Sequence, residues 1–365
     1  MTPAGKTVCL SMIVKNEAHV IRRCLASVRP AIDHWVVVDT GSTDGTQKIV
    51  RKAMRGLPGE VVERPWLNFG HNRSEALALA RPHGDYSLVI DADDELDLPA
   101  AFTMPELNAD AYFVDIADGG ITYRRKQVMN NRLEWRYHGV LHEYPDCPEA
   151  GEAGYLPIRM VRNREGARSR DSATYAKDAE ILERALATEA DRFLISRYTF
   201  YLAQSYRDCG MREKAVEAYL RRAELGFWDQ EIFVSLLQAG RLMEAMGRDP
   251  GEILGVYRRA SDSCPFRAEA AHAAARLCRL LGRYAEGCAA AHLAMRLHAP
   301  GDGLFVEPWI YHYGLRDEFA VSAYWCGRYR DSLDATLAAL ETGKVPADAQ
   351  PRMLANMRFA LEKMS

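Results

Sequence analysis

What most constrains this chain is a change of pattern near residue 165. Before it, short apolar runs alternate with helical spacing, which is the pattern of a mainly parallel sheet with helices on its faces. Thr7–Val14 (TVCLSMIV), Trp35–Asp39 (WVVVD), Glu60–Arg64 and Tyr86–Ile90 read as buried strands. Between the first two, Val20, Ile21, Cys24, Leu25 and Val28 recur at helical intervals. A helix over Gly45–Arg55, capped by Asp44, stops at Gly56-Leu57-Pro58-Gly59, and another over Asn72–Arg81 precedes the fourth strand. Ala111–Ile116 and Ile121–Arg125 read as an antiparallel pair about Asp118-Gly119-Gly120.

After the change come long Ala/Leu/Arg helices without strand patterning. A spacing of twelve, with a glycine between, recurs at Ala203…Gly210…Ala215, Gly240…Gly247…Glu252, Ala275…Gly282…Gly287 and Ala320…Gly327…Ser332. Small residues let paired helices approach, and the glycine turns the chain between them. The starts lie 37, 35 and 45 residues apart, and the spacing resembles the tetratricopeptide repeat, whose period is about 34. The fold class expected is α/β followed by all-α, with domains at 1–165 and 166–365. The longest interval holds an aromatic-rich insertion, 301–314, in which Trp309 and Tyr311 are candidates for an acceptor-binding wall or, alternatively, for a packed cap on the repeats.

The 365 residues carry 47 Lys+Arg against 50 Asp+Glu, a net charge of -3, which argues against a dedicated nucleic-acid binder. No run approaches the roughly 18 apolar residues that span a bilayer, and Met1–Lys6 lacks the layout of a signal peptide. The eight cysteines form no C-x-x-C pair, and most are expected as buried reduced thiols. A cytoplasmic protein is expected.

Three motifs end apolar strands. In Leu88–Asp97 (LVIDADDELD), Asp91, Asp93 and Asp94 stand where open α/β sheets bind ligands. Carboxylates there suit Mg²⁺ or Mn²⁺, which takes oxygen ligands and leaves positions for phosphate; the alternative is a solvated acidic turn. In Val36–Thr46 (VVVDTGSTDGT), Asp39 can accept the imide N–H of a uracil ring. In Ile13–Glu17 (IVKNE), Asn16 and the adjacent backbone can hold a nucleoside.

Together these resemble the nucleotide-binding half of family 2 glycosyltransferases of the GT-A fold, over residues 7–97. Phe69-Gly70-His71-Asn72-Arg73-Ser74 is similar to a further stretch of that family, with Arg73 on its arginine and Asn72 and Ser74 departing from it. The resemblance implies a nucleoside-diphosphate sugar, with UDP expected, against Val14, Asn16, Glu17, Asp39, Arg73, Asp91 and Ala92. Trp135–Tyr144 (WRYHGVLHEY) resembles the His-Glu element of members with helical repeats. It implies His142 beside Asp91 and Asp93 as metal ligands for Mn²⁺ or Mg²⁺, and Glu143 as general base, with Asp115 and Glu134 competing for that role. His138 is expected to be a buried, hydrogen-bonded histidine. Arg124, Arg125, Lys126, Arg132 and Arg136 are either a solvated face or help to neutralise the diphosphate.

The reaction implied is inverting transfer to a peptide or protein, matching the extended surface of a repeat array. The alternative acceptors are a surface polysaccharide or lipopolysaccharide, or modified DNA. The alternative of another class is an inactive nucleotide-binding scaffold. A homodimer through the helical half is a further expectation.

Overall fold

The computed structural model describes residues 5–99, 101–119, 121–301 and 303–364. Gly120 of the expected turn, Asp302 of the insertion and the first four residues lie outside them. The chain divides into two compact units, Met1–Ala185 and Leu186–Ser365.

The first unit holds β1 (Val8–Val14), α1 (Ile21–Val28), β2 (His34–Asp39), α2 (Thr46–Ala53), β3 (Gly59–Glu63), α3 (Phe69–Ala80) and β4 (Tyr86–Val89). There follow β5 (Glu95–Asp97), β6 (Ala111–Asp118), β7 (Ile121–Asn130), β8 (Arg136–His138), β9 (Tyr144–Asp146), β10 (Ala153–Val161) and α4 (Thr174–Leu186). One sheet runs β3-β2-β1-β4-β7-β6-β10-β5, and β8 and β9 form a separate ribbon. β3, β2, β1 and β4 are parallel, whereas β7 runs antiparallel to both β4 and β6.

Alternation along β1 explains why both faces are covered. Val8, Leu10, Met12 and Val14 pack with Ile21, Leu25 and Val50 of α1 and α2. Cys9 packs on the other face with Ala76 and Ala80 of α3. Parallel strands buried on both sides need such near-continuous apolar runs, in β1 broken only by Ser11. Helix α3 begins earlier than the spacing suggests because Asn68 caps it, its side chain accepting the His71 N–H at 2.8 Å. The unit runs past residue 165, and within it Arg168 of the connecting stretch pairs with Asp178 of α4.

The second unit is helical: α5 (Arg192–Asp208), α6 (Arg212–Ala223), α7 (Asp229–Ala245), α8 (Pro250–Ser263), α9 (Glu269–Leu280), α10 (Tyr284–Ala294), α11 (Leu315–Trp325), α12 (Tyr329–Glu341) and α13 (Gln350–Glu362). The hairpins α5–α6, α7–α8, α9–α10 and α11–α12 turn at Gly210, Gly247, Gly282 and Gly327, all left-handed with φ between 68° and 83°. At Gly240 a Cβ would lie 2.4 Å from the Tyr257 ring, so the small residue there is what lets α7 meet α8. Cys326 is exposed and Cys209 intermediate, while the other six cysteines are buried; all eight are unbridged. No helix among the described residues is long and apolar enough to cross a membrane.

Candidate active site

β2 and β4 flank β1 and run parallel to it, so the connections leave in opposite directions at β1, and the crevice of an open α/β sheet lies at their carboxyl ends. Asp39 ends β2 opposite Val14 and is 1% exposed. Its Oδ1 accepts the N–H groups of Gly41 at 2.9 Å and Ser42 at 2.7 Å. Its Oδ2 is buried with no hydrogen-bond partner among the described residues. A buried acceptor left unpaired costs about 1–3 kcal/mol, so this oxygen is ready for a donor brought by a ligand.

The loops after β1 and β2 are laced together. Asn16, left-handed at φ 59°, donates its N–H to Ser42 Oγ at 2.8 Å, and its Oδ1 accepts the Thr43 N–H at 2.8 Å. Glu17 N–H donates to Thr46 Oγ1, and Ala18 N–H to Asp44 Oδ2, each at 2.9 Å. Asp44 therefore joins two loops as well as holding Thr46 at the start of α2. The Val14 carbonyl accepts from Thr40 N–H at 2.9 Å, and Ala92 is buried in the main core.

Arg73 joins two motifs that the sequence separates. Its Nη2 lies 2.5 Å from Asp91 Oδ1 and its Nε 2.5 Å from Glu143 Oε1, with the guanidinium 5.8 Å from the centre of the Tyr137 ring. Its neighbour Asn72, fully buried, ties the start of α3 to the preceding stretch: its side chain accepts from Leu67 N–H and donates to the Pro65 carbonyl, both at 3.0 Å. Burial would lower the Arg73 pKa, but Asp91 and Glu143 outweigh it and raise it. Burial likewise opposes ionisation of Asp91, yet Arg73 and Arg125 hold it well below the usual carboxylate range. The other two candidate bases have partners of their own: Asp115 accepts from Tyr155 Oη at 2.7 Å, and Glu134 pairs with Arg81 at 3.0 Å.

Asp93 is held by a segment that carries no recognisable sequence motif. Gly166 N–H donates to its Oδ2 at 2.9 Å, and Asn163 Nδ2 to its carbonyl at 3.1 Å. Glu17 stands alongside, accepting Ala167 N–H at 3.1 Å. Burial pushes the Glu17 carboxyl up to about 7, Ala167 N–H pulls against it, and Asp93 adds to the rise. Burial, then Asp91 and Asp93, raise Asp94 well above the ordinary range.

One histidine differs from the setting expected of it. His138 is exposed, not buried, and stacks on Tyr144 with ring centres 5.8 Å apart. On the three-residue strand β8, the buried place goes to Tyr137. His142 is exposed and left-handed, at φ 55°. In the second unit, Tyr311 is buried, its hydroxyl donating to Glu269 at 2.8 Å and accepting the Ala268 N–H at 3.1 Å. Of the two aromatics expected in an acceptor wall, Trp309 alone keeps a substantially exposed ring, at 39%.

Residues 9–172 match the model of the family described as glycosyl transferase family 2. They form a family 2 glycosyltransferase domain. An uncharacterized glycosyltransferase of Rickettsia felis is 24% identical over 60% of this chain and 75% of its own length. A TPR repeat-containing protein of Synechococcus elongatus is 34% identical over 38% of this chain, but the chain spans only 35% of that protein. The lipopolysaccharide core biosynthesis glycosyltransferase LpsC of Rhizobium meliloti is 32% identical over 27% of this chain and 36% of its own length.

The glycosyltransferase domain brings Asp91, Arg73 and Glu143 together and sets Asp93 beside Glu17. It does not assemble Asp91, Asp93 and His142 into a metal shell: among the described residues no three His, Cys, Asp or Glu side chains form an ion-binding group. Asp91 is engaged by Arg73. One carboxylate, Asp93, still fits a hard cation that draws its other ligands from phosphate oxygens and water. Asn163 and Gly166 are not legible as site residues in the sequence because they act through an amide and a main-chain N–H, neither of which marks a catalytic or metal-ligating position.

Proposed function

We propose that the chain transfers a sugar, with inversion, from a UDP-sugar to a nucleophilic acceptor. The observation that carries the reading is the buried, unpartnered Oδ2 of Asp39, an acceptor that the imide N–H of uracil satisfies and that cytosine, with no N–H at that position, does not. Asn16, Glu17 and the Val14 backbone shape the nucleoside side of the crevice. Arg73 and Asp91 line the side towards the diphosphate, and Ala92, packed in the core, fixes the backbone between Asp91 and Asp93.

Asp93 is the residue that would hold a divalent ion, and such an ion supplies Lewis-acid neutralisation of the diphosphate. Arg73 orients both Asp91 and Glu143. Glu143 takes the proton of the acceptor as that nucleophile bonds to the anomeric carbon, while the carbon–oxygen bond to the diphosphate breaks on the opposite face and its electron pair leaves on UDP. Glu143 serves better than Asp115 or Glu134 because it alone shares a guanidinium with Asp91.

A peptide or protein acceptor fits the helical second unit on grounds of shape alone. LpsC is named for lipopolysaccharide core synthesis, which favours a carbohydrate acceptor of the cell surface, and this is the acceptor we propose ahead of peptide or modified DNA. Thermal unfolding with UDP, CDP, GDP and ADP, each with and without Mn²⁺, tests the donor. UDP is expected to raise the midpoint most, because ligands that bind only the folded state stabilise it in proportion to RT ln(1 + [L]/Kd). Slow UDP-sugar hydrolysis without acceptor separates a live transferase from an inactive nucleotide-binding scaffold. Equal shifts from all four nucleotides would refute the reading.

A further inference from the structure

We infer that Asn163 and Gly166 are positioning residues that set the carboxylate of Asp93 for donor binding, an inference that rests on the transferase reading above. Their segment bridges the loop after β1 and the turn after β4. Asn163 Nδ2 donates to the Asp93 carbonyl at 3.1 Å and to Glu95 Oε1 at 2.8 Å. Gly166 N–H holds Asp93 Oδ2 at 2.9 Å, and the next N–H, of Ala167, holds the Glu17 carboxylate. Consecutive main-chain donors thus keep two neighbouring carboxylates in place that would otherwise repel each other.

The segment is itself anchored. The Glu165 carbonyl lies 2.8 Å from His19 Nε2, Glu165 Oε2 lies 2.8 Å from Arg23 Nη2, and Arg164 Nη2 donates to Asp118 at 2.7 Å. The fit at Gly166 is close: a Cβ there would lie 3.0 Å from Asp93 Oδ2 and 3.1 Å from its Cγ. Fixing Oδ2 fixes the plane of the carboxylate, and so the place where Oδ1 can meet a cation. Outer partners of this kind, which orient a ligand without touching the ion, typically change metal affinity 10–100-fold when removed.

Gly166→Ala pushes on the carboxylate, and Asn163→Ala removes the amide donor without placing a new charge against Glu95. Both variants are compared with the wild-type full chain by Mn²⁺ titration of UDP-sugar hydrolysis and by calorimetric UDP binding with and without Mn²⁺. Each is expected to raise the half-activating Mn²⁺ concentration about ten-fold or more and to lose most of the Mn²⁺-dependent gain in UDP affinity. Metal-free UDP affinity and the unfolding midpoint should stay near wild type. An unchanged Mn²⁺ requirement in both variants overturns the inference, and so does a lowered midpoint with that requirement unchanged, which would mark the segment as structural only. A wild-type chain that binds UDP but is indifferent to Mn²⁺ overturns this inference alone. One that neither binds UDP nor hydrolyses a donor overturns the transferase reading and this inference with it.

Discussion

Asp39 carries opposing demands of stability and binding in one side chain. Its Oδ1 shapes the turn through Gly41 and Ser42, while its Oδ2 is buried and unpaired. Asp39→Asn keeps the first role and removes a buried charge, so chemical denaturation should find the variant as stable as wild type or more so. Its UDP affinity should fall about 10-fold or more, since a hydrogen bond to a charged group contributes about 1.5–3 kcal/mol. Calorimetric affinities equal to wild type would count against uracil recognition. Arg73→Lys belongs at the same scale. A single ammonium cannot span Asp91 and Glu143 as the fork does, and breaking a buried pair costs about 3–5 kcal/mol; a urea midpoint unchanged from wild type would contradict it. Asp39 and Asp91 were legible in the sequence because each follows a short, mainly apolar run that reads as a buried strand. The bond from Arg73 to Glu143 was not, because its partners are 70 residues apart and nothing in either motif specifies the other.

Among the elements, buried parallel strands and glycine-turned helix pairs were the legible ones, since both follow from a short period of apolar or small residues. Strand β10 escaped because Pro157 interrupts it, and proline is ordinarily confined to strand edges and bulges. The structure agrees with that rule: the pairing of β10 with β6 shifts register between Tyr155 and Arg159, around the proline. The small-residue spacing makes its own prediction at Gly240, where an added methyl group would meet the Tyr257 ring at 2.4 Å. Tyr257 is fully buried and its hydroxyl is bonded to Glu244, so the ring cannot swing away without losing that bond. Gly240→Ala should cost about 1–3 kcal/mol by overpacking, despite alanine's better helix propensity. An unfolding midpoint at or above wild type would show that α7 and α8 can part without cost.

At the scale of the whole molecule, acid should bear hardest on the helical unit. His272 of α9 is 7% exposed, and its pKa is lowered from 6.5 to about 4 by burial, with Arg241 and Arg276 adding to the effect. It folds neutral, so as pH drops through 6.5 the unfolded chain takes up a proton that the native one refuses. The stabilisation is complete above pH 6.5 and is lost between there and pH 4. The gap between 6.5 and about 4 corresponds to about 3 kcal/mol, since a tenfold change in proton affinity is worth about 1.4 kcal/mol. In the first unit Glu17 works in the opposite direction: raised from 4.5 to about 7, it favours the folded state as pH falls through 7. His34, lowered by burial and by His83, offsets part of that gain. Denaturation followed by far-UV circular dichroism, which the helices dominate, should therefore lose stability from pH 7 to pH 4.5. His272→Gln should flatten the decline while lowering stability at pH 7. If the variant kept the full wild-type slope, His272 would not be the group that makes the helical unit sensitive to acid.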